Sequence, residues 1–170
     1  MKNCMYNSEN INCIRNYFIA TKQTIAVAES VTSGHLQAAL STATDASKFF
    51  QGGITAYNIG QKCRQLMIEP THALDCNSVS EKVAEQMALN VTKIFLSNYG
   101  IGVTGYAAPL PECNIYHPYM IFSIACENDV IITKQYISQK KEGVDVQLDY
   151  TETILDVLKS LLQQFFILSR

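Results

Sequence analysis

Short β-rich runs that break into helical periodicity recur along this chain, and that alternation restricts its fold more than any other feature. "TIAVAE" (Thr24–Glu29) is a short buried strand followed by a helical pattern from Gly34 to Ser41. "GGITAYN" is a second strand, with Gly52 and Gly53 at its entrance and a short helix after it through Lys62 to Met67. Ser78 and Glu81 have capping-box spacing ahead of a helix carrying Val83, Met87, Val91, Ile94 and Phe95. "YGIGVTG" (Tyr99–Gly105) is hydrophobic throughout and therefore reads as a central strand. "YMIFSIACE" and "VIITKQYI" flank Glu127, Asn128 and Asp129, a hairpin signal. Amphipathic helices close both ends, from Asn10 to Lys22 and from about Asp149 to Leu168. Strand–helix alternation followed by one hairpin predicts an α/β fold, with a mixed, mainly parallel sheet covered by helices on both faces.

The 170 residues carry no repeat, low-complexity tract or linker, so residues 1–170 are expected to form one domain. A net charge of −2, with no basic cluster beyond Lys140-Lys141, makes nucleic acid a poor partner. The polar N-terminal stretch lacks the apolar run of a signal peptide, and no segment reads as a bilayer span. The six cysteines (Cys4, Cys13, Cys63, Cys76, Cys113, Cys126) are widely spread and show no C-x-x-C pair. Reduced thiols in a cytoplasmic protein are therefore expected, with no membrane partner. His35, His72 and His117 stand apart from one another and from the cysteines, so no metal site is expected.

In open α/β sheets, sites gather at the carboxyl ends of the strands. Three such ends carry hydroxyl groups here: Glu29-Ser30-Val31-Thr32, Ala56-Tyr57-Asn58 and Val103-Thr104-Gly105. Taken singly, each has a plain structural reading: Ser30 and Thr32 as helix caps, Lys62 as a solvated helix residue, Thr104 as a turn residue. Their coincidence at neighbouring strand ends favours a site.

The residues at these ends resemble a known pattern. Ala-Glu-Ser-x-Thr-x-Gly after the first strand, Gly-Gly-x-x-x-Tyr with a lysine five residues on, Val-Ser-Glu opening a helix, and Val-Thr-Gly-x-Ala-x-Pro are together similar to the C-terminal domain of the CinA competence/damage-inducible proteins. The likeness runs from about Thr24 to Pro109. It implies a three-layer α/β/α sandwich around a mixed five-stranded sheet. It also implies a nicotinamide-nucleotide amidase, which hydrolyses nicotinamide mononucleotide to nicotinate mononucleotide and ammonia without a cofactor. Carried over by motif, Ser30 is the nucleophile and Lys62 the base, and Tyr57 orients the lysine or the pyridine ring. Thr32, Ser33, Gly34, Thr104 and Gly105 fall in the substrate pocket. An amide is a poor electrophile, so the attacking serine needs a base, and a lysine serves if burial lowers its pKa. Backbone N–H groups at the start of the Gly34 helix, or the Thr104 hydroxyl, are the expected oxyanion donors. Thr32 and Ser33 are expected to cap that helix. The resemblance also implies self-association, with a homodimer expected.

The chain departs from the family motif at identifiable places. Ser33 stands where the family has glycine, and Asn58, Ile59, Gly60 and Gln61 separate Tyr57 from Lys62. The family's Gly-Ile-Ala-Gly-Pro-Gly-Gly loop is here Gly105-Tyr106-Ala107-Ala108-Pro109-Leu110-Pro111. The family's arginine near the last helix is missing, since no arginine lies between Arg64 and Arg170; Lys140 or Lys141 is the substitute, as a point charge. These changes leave a second reading open, a weakly active or inactive relative that binds a nucleotide or a protein partner. Cys63 beside the expected base and Cys113 in the altered loop leave a redox-sensitive site as a third.

Overall fold

The computed structural model describes residues 5–141 and 143–168. The chain runs α1 (Ser8–Thr21), β1 (Ile25–Glu29), α2 (His35–Ser41), β2 (Phe50–Thr55), α3 (Ile59–Leu66), α4 (Pro70–Asp75), α5 (Glu81–Phe95), β3 (Tyr99–Tyr106), β4 (Tyr119–Cys126), β5 (Asp129–Ile137) and α6 (Gly143–Leu168). The five strands form one sheet in the order β2-β1-β3-β4-β5. β1 pairs parallel with both β2 and β3, while the β3–β4 and β4–β5 ladders are antiparallel. The expected mixed sheet is present. Its parallel part is the β2-β1-β3 block, β4 alone runs against the rest, and the ladders divide evenly between the two kinds.

Side-chain alternation along the strands assigns the helices to layers. On β1, Ile25 and Val27 join a core with Ile14 and Phe18 of α1, Leu36 and Leu40 of α2, and Tyr150, Ile154 and Leu158 of α6. Ala26 and Ala28 face the other way, into a core with Leu66 of α3, Ala73 of α4, and Val83, Met87 and Val91 of α5. The three-layer α/β/α sandwich follows from this division. On β3 the contrast is sharper: Tyr99, Ile101 and Val103 point to the first core, while Gly100 and Gly102 face α5. A Cβ on Gly100 would lie 2.2 Å from the Ala88 carbonyl oxygen, and one on Gly102 would lie 2.3 Å from that of Ala84. The glycines thus let α5 sit directly on the strand, and the next residue with their orientation is Thr104.

Several local expectations are corrected. Ser78 does not cap α5: Ser80 does, its Oγ accepting from the Val83 amide at 3.2 Å. α6 begins at Gly143 rather than near Asp149, because Val146 and Tyr150 already bury the same face as Ile154. β2 ends at Thr55, leaving Tyr57 and Asn58 outside it. α4, which was not anticipated, is opened by Pro70 in its first turn and by the Glu69 carboxylate on the Thr71 and His72 amides. Among the described residues no helix is long and apolar enough to cross a membrane. Cys13, Cys63, Cys76, Cys113 and Cys126 are free thiols, and Cys4 lies outside the described residues.

Candidate active site

The parallel block places the carboxyl ends of β1, β2 and β3 side by side. Glu29 pairs with Thr55 on one side and Val103 on the other, and the Ser30 amide still donates to the Val103 carbonyl at 3.1 Å. Ser30 therefore lies at the strand end that adjoins Thr104. Its turn is held by Glu29, which is wholly buried. One Glu29 oxygen accepts from the Thr32 hydroxyl at 2.6 Å, the Gly34 amide at 3.0 Å and the Leu36 amide at 3.1 Å. The other accepts from the Gln37 amide at 2.9 Å.

This corrects the expected division of labour in the turn. Thr32 and Ser33 are not the caps of α2; a carboxylate from the preceding strand is, where the N–H groups and the helix dipole favour negative charge. The Gly34, Leu36 and Gln37 amides are consequently engaged and are not oxyanion donors. Ser33 and Gly34 take left-handed backbone, with φ of +50° and +99°, which folds the turn back under Ser30. Ser33 is exposed, and its hydroxyl accepts from the Gln147 side chain at 3.2 Å, tying α6 to the turn.

Lys62 comes from α3, which Asn58 opens by accepting from the Gln61 amide at 2.9 Å. Lys62 and Leu66 share the buried face of this helix, and Lys62 is only 3% exposed. Burial pulls its ammonium down to about 8, while nearby Cys76 and Cys63 push the other way. Its Nζ donates to Thr104 Oγ1 at 3.1 Å, and the Thr104 hydroxyl in turn donates to the Ser78 carbonyl at 2.7 Å. Because the Thr104 proton goes to that carbonyl, its oxygen is left as an acceptor for the amine. Thr104 is thus a second corrected oxyanion donor; it orients Lys62. A neutral amine held by one N–H in this way keeps its lone pair for a proton.

Ser30 and Lys62 line the same cleft, of about 660 Å³, together with Tyr57, Asn58, Asn77, Ser78, Gly105 and the segment 106–110. Tyr57 is 72% exposed at its wall, open to a ligand ring. Gly105 has φ of +156°, and a Cβ there would lie 2.3 Å from the Tyr119 carbonyl oxygen. Thr32, Ser33, Gly34 and Thr104 do not line the cleft; they hold its parts. Lys141 is exposed just ahead of α6 and lies outside the wall. No group of histidine, cysteine and acidic residues among the described residues is placed to hold a metal.

Ser78 is the site residue that motif reading missed. It is 1% exposed, and its Oγ is a buried side-chain atom without a hydrogen-bond partner among the described residues. Asn77 and Ser78 are consecutive non-glycine residues in left-handed backbone, with φ of +49° and +57°. Nothing local in "CNSVSE" separates the capping serine from the serine whose carbonyl receives Thr104.

A parallel β2-β1-β3 block with helices on both faces, bearing a serine and a buried lysine at its strand ends, places this protein among three-layer α/β/α proteins with a serine–lysine cleft. The sequence profile of the CinA C-terminal domain matches residues 8–162, and the chain belongs to that family. A CinA-like protein from Thermosynechococcus vestitus is 33% identical over 141 residues, covering 81% of this chain and 34% of the relative. One from Amoebophilus asiaticus is 31% identical over 160 residues, covering 93% of this chain and 38% of the relative. The chain thus spans well under half the length of these curated relatives. Among solved structures, a competence or damage-inducible protein from Enterobacter asburiae superposes with a TM-score of 0.86 at 21% identity, covering 95% of this chain and 99% of that one. A CinA superfamily protein from Escherichia coli gives 0.84 at 22% identity, covering 96% and 93%. At that identity the superpositions establish the fold.

Proposed function

We propose that the chain is an amidase of the nicotinamide-nucleotide type that works through Ser30 and Lys62. The observation that carries this reading is a buried lysine, lowered to about 8 and held by Thr104, in one cleft with a serine at a strand-to-helix turn. Neutral Lys62 takes the Ser30 proton as Oγ bonds to the carboxamide carbon. The resulting ammonium returns that proton to the amide nitrogen as the C–N bond breaks, releasing ammonia and leaving an ester on Ser30. Lys62 then deprotonates water, which attacks the ester, and the acid leaves as Ser30 recovers its proton. The sum is amide plus water to carboxylate plus ammonium, with no cofactor. Tyr57 offers its exposed ring to the pyridinium.

Purified protein given nicotinamide mononucleotide is expected to release ammonia, and Ser30→Ala to release none above background; equal rates would refute the reading. kcat/KM should rise with pH on a limb near 8, the value at which Lys62 becomes free amine in unliganded enzyme. Lys62→Arg should be nearly inactive, because guanidinium keeps its proton.

The phosphate's counter-charge falls to Lys141, exposed ahead of the helix that Gln147 ties to the Ser33 turn. Lys141→Ala should raise KM for the mononucleotide severalfold and leave KM for the phosphate-free riboside unchanged. The same change in both would remove Lys141 from phosphate recognition. A second reading, binding without turnover, is favoured by the cleft wall itself, where Lys62 is the one lysine or arginine among the described residues. Thermal stabilisation by nucleotides without ammonia release would select it.

A further inference from the structure

Beside the proposed amidase cleft lies a second, open cavity of about 780 Å³ that shares Asn77 and Tyr106 with it. The boundary is a hydrogen bond: Asn77 Nδ2 donates to the Tyr106 hydroxyl at 3.1 Å. Tyr106 is the last residue of β3, where the altered segment 106–111 begins, and Asn77 sits in the left-handed pair with Ser78. The walls of the second cavity are rich in rings. Tyr106 and Tyr119 lie with centroids 5.4 Å apart at 56°, Tyr116 stands 64% exposed, and His117 lies beside it in sequence. Asp75 is the one acidic residue of the wall, and no lysine or arginine lines it among the described residues.

We infer that this chamber is a second binding subsite, continuous with the amide cleft, which takes a planar uncharged aromatic ring, such as a nucleobase, at the far end of the substrate from its carboxamide. The inference rests on the amidase reading for what occupies the first cleft. An aromatic ring entering the chamber meets tyrosine faces and edges in offset or tilted geometry, the arrangement that π systems favour. A phosphate there would meet Asp75 and no compensating lysine or arginine, so the chamber discriminates against an anion in favour of a neutral ring. The Asn77–Tyr106 bond lies where the linking part of an extended substrate must cross. It uses the phenol oxygen as acceptor and leaves the phenol proton for that linker.

The test measures binding to the 170-residue Ser30→Ala protein, which spares the ligand, by calorimetry with two probes. One is nicotinamide mononucleotide, and the other is the dinucleotide that adds an adenine at the opposite end. Stacking of one base predicts that the dinucleotide binds about five- to a hundredfold more tightly. A second substitution, Tyr116→Ala, at an exposed position that lines only the second chamber, should abolish that preference without changing mononucleotide affinity. Tyr116→Phe should keep it. Equal affinity for the two probes, or a preference that survives Tyr116→Ala, overturns the subsite. Ammonia release by the wild-type chain is scored separately. If no ammonia appears, the amidase reading fails, and a binding preference that depends on Tyr116 still establishes the chamber.

Discussion

Lys62 holds an unfavourable position for a cation and a useful one for a base. At 3% exposure, with its ammonium lowered from 10.5 to about 8, it destabilises the folded state at neutral pH. The unfolded chain keeps this proton to about pH 10.4 and the folded chain releases it near 8, so between those values unfolding takes up protons. Stability from this group therefore rises as pH climbs through that window. Lys62→Met, which keeps the stem and removes the charge, should be more stable than wild type at pH 7 by about 2 kcal/mol. That figure is a protonation penalty of up to about 3 kcal/mol less about 1 for the lost bond to Thr104. The gain should shrink toward pH 10, because only the wild type improves there. Urea midpoints of both proteins at the two pH values check this, and a gain independent of pH would contradict it.

Among the elements, the β1–α2 connection carries the most consequence for the site. One buried carboxylate, Glu29, satisfies the Thr32 hydroxyl and three amides of the following turn and helix. Without it these donors are left buried or half-buried at a helix start with no other acceptor supplied by the turn. Glu29→Ala should cost about 3 kcal/mol or more, since each stranded donor carries a desolvation penalty of about 1–3 kcal/mol. Glu29→Gln, which retains an acceptor oxygen, should fall between. Urea denaturation reads both, and a loss below about 1 kcal/mol in the alanine variant would mean that water replaces the carboxylate. The same variant should lose the proposed amidase activity beyond its loss of stability, because Ser30 is the residue next to the anchor.

At the scale of the whole molecule, the two cores lie on opposite faces of one sheet and share its strands. Ile25 and Val27 enter one, and Ala26 and Ala28 the other. Neither core survives loss of β1 or β3, so the chain should unfold as a unit although it spans a minor part of its curated relatives. Far-ultraviolet dichroism and tyrosine fluorescence are expected to report one coincident urea transition. Tyr17 and Tyr99, hydrogen-bonded at 3.1 Å, report the first core, while dichroism follows the six α-helices of the described residues. Two separated transitions would show that the layers fold independently.

The succession of short strands and periodic helices is a local property, and from it the sequence alone determined a mixed sheet covered by helices on both faces and the strand ends near which Ser30, Tyr57 and Thr104 lie. The hairpin at Glu127–Asp129 was legible in the same way, whereas Ser30 and Lys62 were paired only by the resemblance to the family's motifs. A sign of burial at Lys62 was also present: it falls on the face set by Ile59, Cys63 and Leu66. What each residue does in the site depended on contacts between distant segments. Lys62 meets Thr104 across 42 residues, and Thr104 meets the Ser78 carbonyl across 26. Tertiary structure decided that Thr104 accepts from the amine rather than donating to an oxyanion. It also decided that Glu29 rather than Thr32 or Ser33 occupies the start of α2, and that Ser80 rather than Ser78 opens α5. Hydroxyl and carboxylate groups have several acceptable partners within reach of any turn, and local sequence leaves that choice open. The choice falls to whichever backbone groups burial deprives of water, and burial is a property of the assembled layers.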